Sequence, residues 1–410
     1  MPAERFSIAQ VTPWPWEQQH EVNRFVERLS DELCTRGHRV VVVAPSDSAE
    51  LVRESRARVK QLPGDPDAIF AEPGCANLLA VGQSLPFRRG GSVSLPLDVS
   101  RTLVDLLEHA DFDFVHVHEP FAPSASSAAL RHSRALNVGT FHATTERFVS
   151  TQVARRVVEL LFGRLDGRTA TFAATCDLVS RYFPGDYEVI QPGADLAHRS
   201  AADTSGPAEI VFSDEEERGA LRLFLRALRR LPLELDWLAT VWLREPASAP
   251  ALSLPRRLRE RVRFAGPADG SEAQHLARAR IVVAASAGAK PAPQLVLRAL
   301  AGGAVPVVSR LPQYEEALRE GELGLLFEPR DAITLAAQLE RLIRDRELTE
   351  RLGARIAEHH PQLGWSRVAD EVEELYRRIA ARRHDDNGKP AVRERLGGRE
   401  FIHVDLHMHT

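Results

Sequence analysis

The sequence predicts an α/β fold of two doubly wound Rossmann-like domains facing a central cleft. Three observations carry that expectation. Short Val- and Ile-rich runs alternate with amphipathic helical stretches along most of the chain. A polar, small-residue stretch, Ser200–Pro207, interrupts this alternation and divides the chain into halves of similar size. In each half, several apolar runs end directly in polar or Gly-containing segments, and the carboxyl ends of strands are where open parallel sheets hold ligands.

In chain order, Phe6–Val11 and Arg39–Ala44 read as strands around a helix over Val22–Arg36, a βαβ unit of ordinary length. Leu78–Val81, Phe112–Val117 and Leu136–Phe141 continue the sheet, with helices near Val99–His109 and Pro123–Ser133. Glu146–Phe162 is amphipathic, with Val149, Val153, Val157 and Leu160 on one side. Tyr187–Asp195 reads as a strand and a turn. The second series of strands is Glu209–Phe212, Leu235–Thr240, Val262–Phe264, Ile281–Ala285, Val305–Val308 and Leu323–Phe327, with Gln294–Ala301 among the helices between them. Trp365–Arg382 is a last long helix, and the charged, Gly-containing Arg383–Glu400 reads as a solvated linker. The expected domains are 1–198 and 199–364, with a helix over 365–382 crossing back to the first, a linker over 383–400 and a separate segment over 401–410.

Bulk composition narrows the function classes. A chain of 410 residues with 44% hydrophobic content buries a core large enough for two domains. A formal net charge of −4 gives no footing for nucleic acid as a partner. The 3 cysteines, Cys34, Cys75 and Cys176, are far apart and form no CxxC, which fits a reducing, cytoplasmic compartment and argues against a disulfide framework. Met1–Arg5 leads straight into the first strand, with no signal-peptide pattern, and no run approaches the length that spans a bilayer. Peripheral contact with a membrane surface remains compatible with this composition.

Several motifs carry a resemblance over residues 6–380. They are Gly37-His38, Gly90-Gly91-Ser-Val93, His116-Val-His118-Glu-Pro120, Ala122-Pro-Ser124, Phe141-His142 and Pro192-Gly193-Ala-Asp195 in the first half, and Arg298–Ser309 and Gly324–Asp331 in the second. The chain resembles GT-B glycosyltransferases, most closely the phosphatidylinositol mannosyltransferase type of the family 4 group. That resemblance implies transfer of a mannose-like hexose, with retention, from a nucleotide diphosphate sugar to a phosphate-bearing acceptor, possibly lipid-linked, with no cofactor. By position, His142 corresponds to the family's cleft histidine, which contacts the donor sugar. Arg147 stands where a Lys binds the acceptor phosphate, and Arg suits that task through its fork of donors. Trp14 and Glu17 fall where Tyr and Asp line the inositol pocket.

The donor side departs from the family pattern. Two Glu eight positions apart, which the family uses to recognise donor hydroxyls, are replaced by Lys290 and Arg298. The family's Arg and Lys after the first strand of the second domain fall near Ser213 and Arg218, within Phe212-Ser-Asp-Glu-Glu-Glu-Arg218, and three Glu crowd the place of the diphosphate. His20-Glu21 replaces a Gly-Gly loop whose amides approach phosphate. Lost hydrogen bonds to charged groups, about 1.5–3 kcal/mol each, predict a degenerate donor site. Arg218, Lys290 and Arg298 are its candidate remnants, and Glu215–Glu217 with Lys290 and Arg298 form a candidate ion-pair cluster filling it. The alternative is a non-catalytic GT-B module that binds a phospho-sugar or phospho-inositol.

Phe401–Thr410 reads as a strand ending in His407-Met-His409, which puts both histidines on one face as metal ligation requires. Asp405-Leu-His-Met-His-Thr410 resembles the opening motif of PHP-type metal-dependent phosphoesterases. His407 and His409 are an incomplete metal set, and divalent metal is expected only if such a domain continues beyond Thr410. That implies a fusion of a GT-B module with a phosphoesterase.

Overall fold

The computed structural model describes residues 5–18, 20–71, 73–87, 91–94, 96–122, 124–142, 161–196, 206–245 and 254–387, without the side chains of 83–100 and 383–387. The first sheet contains β1 (Ser7–Val11), β2 (Arg39–Ser46), β3 (Asn77–Phe87), β4 (Gly91–Ser94), β5 (Phe114–His118), β6 (Leu136–Phe141), β7 (Gly167–Ala170) and β8 (Glu188–Val189). Their order is β4-β3-β2-β1-β5-β6-β7-β8. Every pairing is parallel except β3 with β4, a hairpin that extends β3 past the expected Val81. Helices α1 (Glu21–Thr35), α2 (Ala49–Gln61), α3 (Pro96–His109), α4 (Ala125–His132) and α5 (Ala173–Ser180) connect these strands.

The second sheet is wholly parallel, with strands β9 (Ala208–Ser213), β10 (Trp237–Trp242), β11 (Val262–Ala265), β12 (Ile281–Ala284), β13 (Val305–Ser309) and β14 (Leu325–Phe327) in the order β11-β10-β9-β12-β13-β14. Its helices are α6 (Arg218–Leu228), α7 (Arg256–Arg259), α8 (Glu272–Arg278), α9 (Pro293–Ala301), α10 (Pro312–Ala317), α11 (Ala332–Arg344) and α12 (Arg346–His359). Strand order reverses between β1 and β5 in one sheet and between β9 and β12 in the other. Those reversals open crevices at the carboxyl ends of the strands.

Helix α13 (Trp365–Asn387) returns to the first domain. Its Val368, Ala369, Val372, Leu375, Tyr376 and Ile379 are buried with Phe6, Ile8, Phe25, Leu29 and Phe114. Burying such side chains contributes roughly 1.5–3 kcal/mol each, so the helix is part of that domain's core. Its entry depends on the turn at Gly193, where an added Cβ would stand 2.9 Å from the Trp365 Cα and 2.7 Å from its ring. The next residue, Ala194, donates its N–H to the Leu363 carbonyl at 2.7 Å. Gly193→Ala is therefore expected to cost about 1–3 kcal/mol. A urea midpoint unchanged by the substitution means that the turn yields freely.

Candidate functional site

Residues from the carboxyl ends of β1, β5, β6, β9 and β12 meet at the two reversals. On the first domain, β5 carries His116 and His118 on one face of the strand, and β6 ends one residue before His142. The His142 Nε2 lies 2.9 Å from the His118 Nδ1, and its main-chain N–H donates to Glu119 at 2.8 Å. Phe25 meets the His142 ring edge-on at 5.0 Å and the His118 ring at 5.5 Å. Burial, with the nearby charge sites His20 and His116, pulls the His142 pKa down to about 3, so the ring is neutral in the folded protein.

The β1–α1 loop is internally committed. Trp14 stacks on His20 with ring centres 4.4 Å apart, and the His20 Nδ1 caps α1 by accepting from the Val22 N–H at 3.2 Å. Glu17 accepts from the Ser46 hydroxyl and, at 3.0 Å, from the Asp47 N–H. Burial raises the Glu17 pKa, but those hydrogen bonds outweigh it and hold the group below the usual carboxylate range. These two contacts brace the β2–α2 loop. Arg147, His407 and His409 lie outside the described residues.

On the second domain, the segment after β9 inserts three carboxylates with three separate sets of partners. Glu216 accepts from the N–H groups of Ala285 (2.6 Å) and Ser286 (2.8 Å) and from the Tyr314 hydroxyl. Glu217 accepts from the Ala287 N–H (2.5 Å), the Ser286 hydroxyl (2.8 Å) and the Lys290 N–H (3.1 Å). Backbone amides of the β12–α9 loop, at the mouth of the crevice, are therefore satisfied by the chain's own carboxylates. Burial pushes the Glu216 pKa up to about 7 against the pull of Tyr314 and the two amides. For the more open Glu217, the Ala287, Ser286 and Lys290 donors overcome burial and lower it.

Glu215 takes Arg298 instead, at 2.5 Å, and Arg244 at 3.0 Å. Arg298 also lies 3.4 Å from Glu272, and 3.4 Å from Glu21 at the start of α1 in the first domain. The guanidinium is thus ringed by three carboxylates and joins the two domains across the cleft. Burial and the Glu215 charge raise the Glu21 pKa. Despite burial, the adjoining Glu215, Glu272 and Glu21 raise that of Arg298.

The expected cluster of Glu215–Glu217 with Lys290 and Arg298 exists in part. Arg298 is its centre, whereas Lys290 is exposed and contributes its backbone N–H rather than a charge pair among the described residues. Arg218 sits exposed at the start of α6, and no bond from its side chain to the cluster is found among the described residues. Glu272, Tyr314, Gln10 and Tyr376 were not among the sequence candidates. Only the first had a local signal, a helix-capping sequence Ser271-x-x-Gln274 that places an acid in the first turn.

Comparisons with known proteins bear on this arrangement. The profile of Glycosyltransferase Family 4 matches residues 22–198, and that of Glycosyl transferases group 1 matches 211–345. A phosphatidyl-myo-inositol mannosyltransferase of Mycobacterium leprae is 26% identical over 392 residues, covering 91% of this chain and 97% of that protein. A glycogen synthase of Mycobacterium tuberculosis is 26% identical over 406 residues, covering 90% and 94%. Among solved structures, a glycosyltransferase of Rickettsia africae superposes with a TM-score of 0.66 at 13% identity, covering 92% of this chain and 99% of that one. Anabaena HepE in complex with UDP and glucose gives 0.64 at 14% identity, covering 90% and 99%. These structural likenesses concern the fold.

Proposed function

This chain is a GT-B chain of the glycosyltransferase family 4 and group 1 type, and on that premise we propose that it recognises a phosphate-bearing polyol ligand while no longer taking a nucleotide diphosphate sugar. The observation that carries the reading is the occupation of the β12–α9 loop amides by Glu216 and Glu217. A donor diphosphate placed at that loop meets carboxylates instead of free N–H groups. Like charges about 4 Å apart cost roughly 4 kcal/mol each at the effective dielectric of a protein surface. Glu217, held ionised, imposes that cost, Glu216 occupies two further amides, and the neighbouring Arg298 is already surrounded by three acids.

The ligand class follows from the relatives, which include phosphatidyl-myo-inositol mannosyltransferases spanning nearly the whole chain. On the same grounds, Arg147 is the proposed phosphate contact, and Trp14 and Glu17 are proposed to flank the polyol. The C-terminal His407-x-His409 motif extends the proposal to a module serving an attached metal-dependent phosphoesterase. Continuation of the reading frame into further His and Asp ligands tests that extension.

A second reading, hexose transfer with retention to such an acceptor, is favoured by the same full-length similarity and by the placement of His142 at the end of β6. Titration calorimetry separates the two. With the intact chain, GDP-mannose and UDP-glucose are expected to give no binding heat, while inositol 1-phosphate binds and binds more weakly to His142→Ala. Micromolar binding of either nucleotide sugar overturns the first reading and establishes a donor site. Silence from all three ligands removes both.

A further inference from the structure

The outer face of α6 is made of arginine side chains. The helix buries Leu221, Phe224, Leu225 and Leu228 in the core of the second domain. On the side that is left, at a spacing of three and four residues, stand Arg218, Arg222 and Arg226, with Arg229 at the helix end, all exposed. From Arg218 to Leu233 the chain carries five arginines and no acid. Elsewhere its helices pair arginine with carboxylate: Arg344 with Glu340 and Arg346 with Glu350 at 2.7 Å, and Arg367 with Glu371 at 2.8 Å. The side chains of Arg226 and Arg330 make no hydrogen bond or ion pair among the described residues.

The end of that face opens into a cleft of about 390 Å³ lined by Arg226, Arg229, Arg230 and Arg330. The one acid of the lining, Asp331, is already committed. It caps α11 by accepting from the Ile333 N–H at 2.7 Å and the Thr334 N–H at 3.3 Å, so the helix end is satisfied by the chain itself. Glu328, two residues before Arg330, is turned to Arg310 at 3.2 Å. Arg330 holds a φ of 67°, in the left-handed region where glycine is the ordinary occupant. A long side chain kept at such a position points to a task for that side chain. Four guanidinium groups against one carboxylate leave three uncompensated positive charges, in a chain whose formal net charge is −4.

We propose that this cleft is a second anion site, separate from the one between the domains, and that it takes a ligand carrying two phosphoryl groups through Arg226 and Arg330, with Arg229 and Arg230 beside them. The planar fork of a guanidinium matches phosphate oxygens in pairs. One phosphate monoester brings about 1.5 to 2 negative charges at pH 7, so two phosphoryl groups balance the three positive charges where one does not. A pyrophosphate has that chemistry, and so does a lipid headgroup with a monoester beside its diester. Ile333, next to Asp331 in the same lining, is 61% exposed, and it has an apolar partner only when the source is a lipid surface. The site does not rest on the proposed function, since Trp14, Glu17 and His142 are not part of its lining.

The test titrates inorganic pyrophosphate into the intact chain by calorimetry, and sediments the chain with phosphatidylcholine vesicles containing phosphatidylinositol 4-phosphate. Binding in at least one arm is expected, weakening as salt rises because exposed charges are screened. Arg226→Gln combined with Arg330→Gln is expected to weaken it by at least about tenfold. Both side chains are exposed and leave no partner behind, so the double variant is expected to keep the wild-type urea midpoint in the absence of ligand. Arg222→Gln, one turn earlier on the same face and outside the cleft, is the control for charge alone and is expected to stay within about twofold. Pyrophosphate binding without vesicle capture assigns a soluble ligand. Vesicle capture that Ile333→Ser weakens assigns the headgroup. Silence in both arms overturns the site, as does binding that the double variant retains or that Arg222→Gln weakens equally. Pyrophosphate that the double variant still binds and inositol 1-phosphate displaces lies between the domains; that result overturns this site and leaves the proposed function standing. Silence from inositol 1-phosphate, with pyrophosphate lost in the double variant, does the reverse.

Discussion

Replacing Arg298 with methionine is expected to cost about 3–5 kcal/mol of stability, the loss associated with breaking a buried ion pair from one side. The reason is what stays behind. Its side chain is 12% exposed, and Glu215 and Glu272, at 8% and 10%, remain in place when the guanidinium leaves. Methionine keeps most of the volume but none of the charge. Arg244→Met is the matched control, because Arg244 also contacts Glu215 but is 38% exposed. A pair that open is expected to contribute no more than about 1 kcal/mol. Adding Glu215→Leu to Arg298→Met is expected to recover part of the loss, since it removes the carboxylate nearest the guanidinium while Glu272 and Glu21 stay. Urea unfolding of the three variants decides the matter. A loss for Arg298→Met no larger than that for Arg244→Met means that the cluster is not what holds the two domains together.

The architecture was legible in the sequence because its strands are β-branched runs that need no partner to be recognised. Arg39–Ala44 and Leu136–Phe141 lie within or match the observed strands. Where the strands slipped, a polar anchor or a turn moved them. The strand expected from Phe112 begins at Phe114, because the preceding Asp113 side chain accepts from the Ser7 N–H at 2.8 Å. The strand expected over Leu235–Thr240 runs over Trp237–Trp242, because Leu235 closes a turn on the Pro232 carbonyl at 3.4 Å.

The site was less legible for a reason of distance along the chain. Glu215–Glu217 group with Lys290 and Arg298 as a candidate cluster, but three consecutive Glu carry no local signal of which partner each takes. Yet Glu215 and Glu216 turn inward, because the pairing of β9 with β12 brings the segment after one strand against the loop after the other. Glu216 and its amide donors are 69 and 70 residues apart in sequence, a relation that no local pattern contains. Arg298 was legible in part: it is the only charged residue of α9, on a helix whose other residues are buried, so it needed a buried counterion. Which carboxylates would supply it, one of them from the other domain, required the structure. The histidines show the same limit. His142 was identified by the motif around it, whereas the route from His142 through His118 and Gln10 to Tyr376 joins residues 366 positions apart at its far end.

Acid is expected to unfold this protein from the histidine side, although its buried carboxyls act in the opposite sense. His20 is lowered by burial and the Lys290 and Arg244 charges to about 4, and His116 and His142 are lowered, mainly by burial, to about 3. His118 is lowered in the same direction. Each is neutral when folded and takes up a proton near pH 6.5 when unfolded, so stability falls as pH drops below 6.5. Glu216 behaves oppositely. Its folded pKa of about 7 lies above the model-peptide value of 4.5, so the folded chain keeps a proton that the unfolded chain has released. Its contribution is fully present below pH 4.5 and is lost as pH rises through 7. Glu21 and Glu272, raised by burial and the Glu215 charge, share that sign. His359, lowered mainly by burial, joins the histidine side, and Asp31 and Asp214, raised by burial, join the carboxyl side, so two opposed sets titrate over this range. With the histidines the more strongly shifted set, urea midpoints are expected to fall as pH drops from 6.5 to 4.5. Removing the opposing carboxyl with Glu216→Gln is expected to steepen the fall, and removing one histidine with His116→Asn to flatten it. A midpoint that climbs from pH 6.5 to 5 means that the carboxyls outweigh the histidines, and the neutral ring assigned to His142 then loses its support.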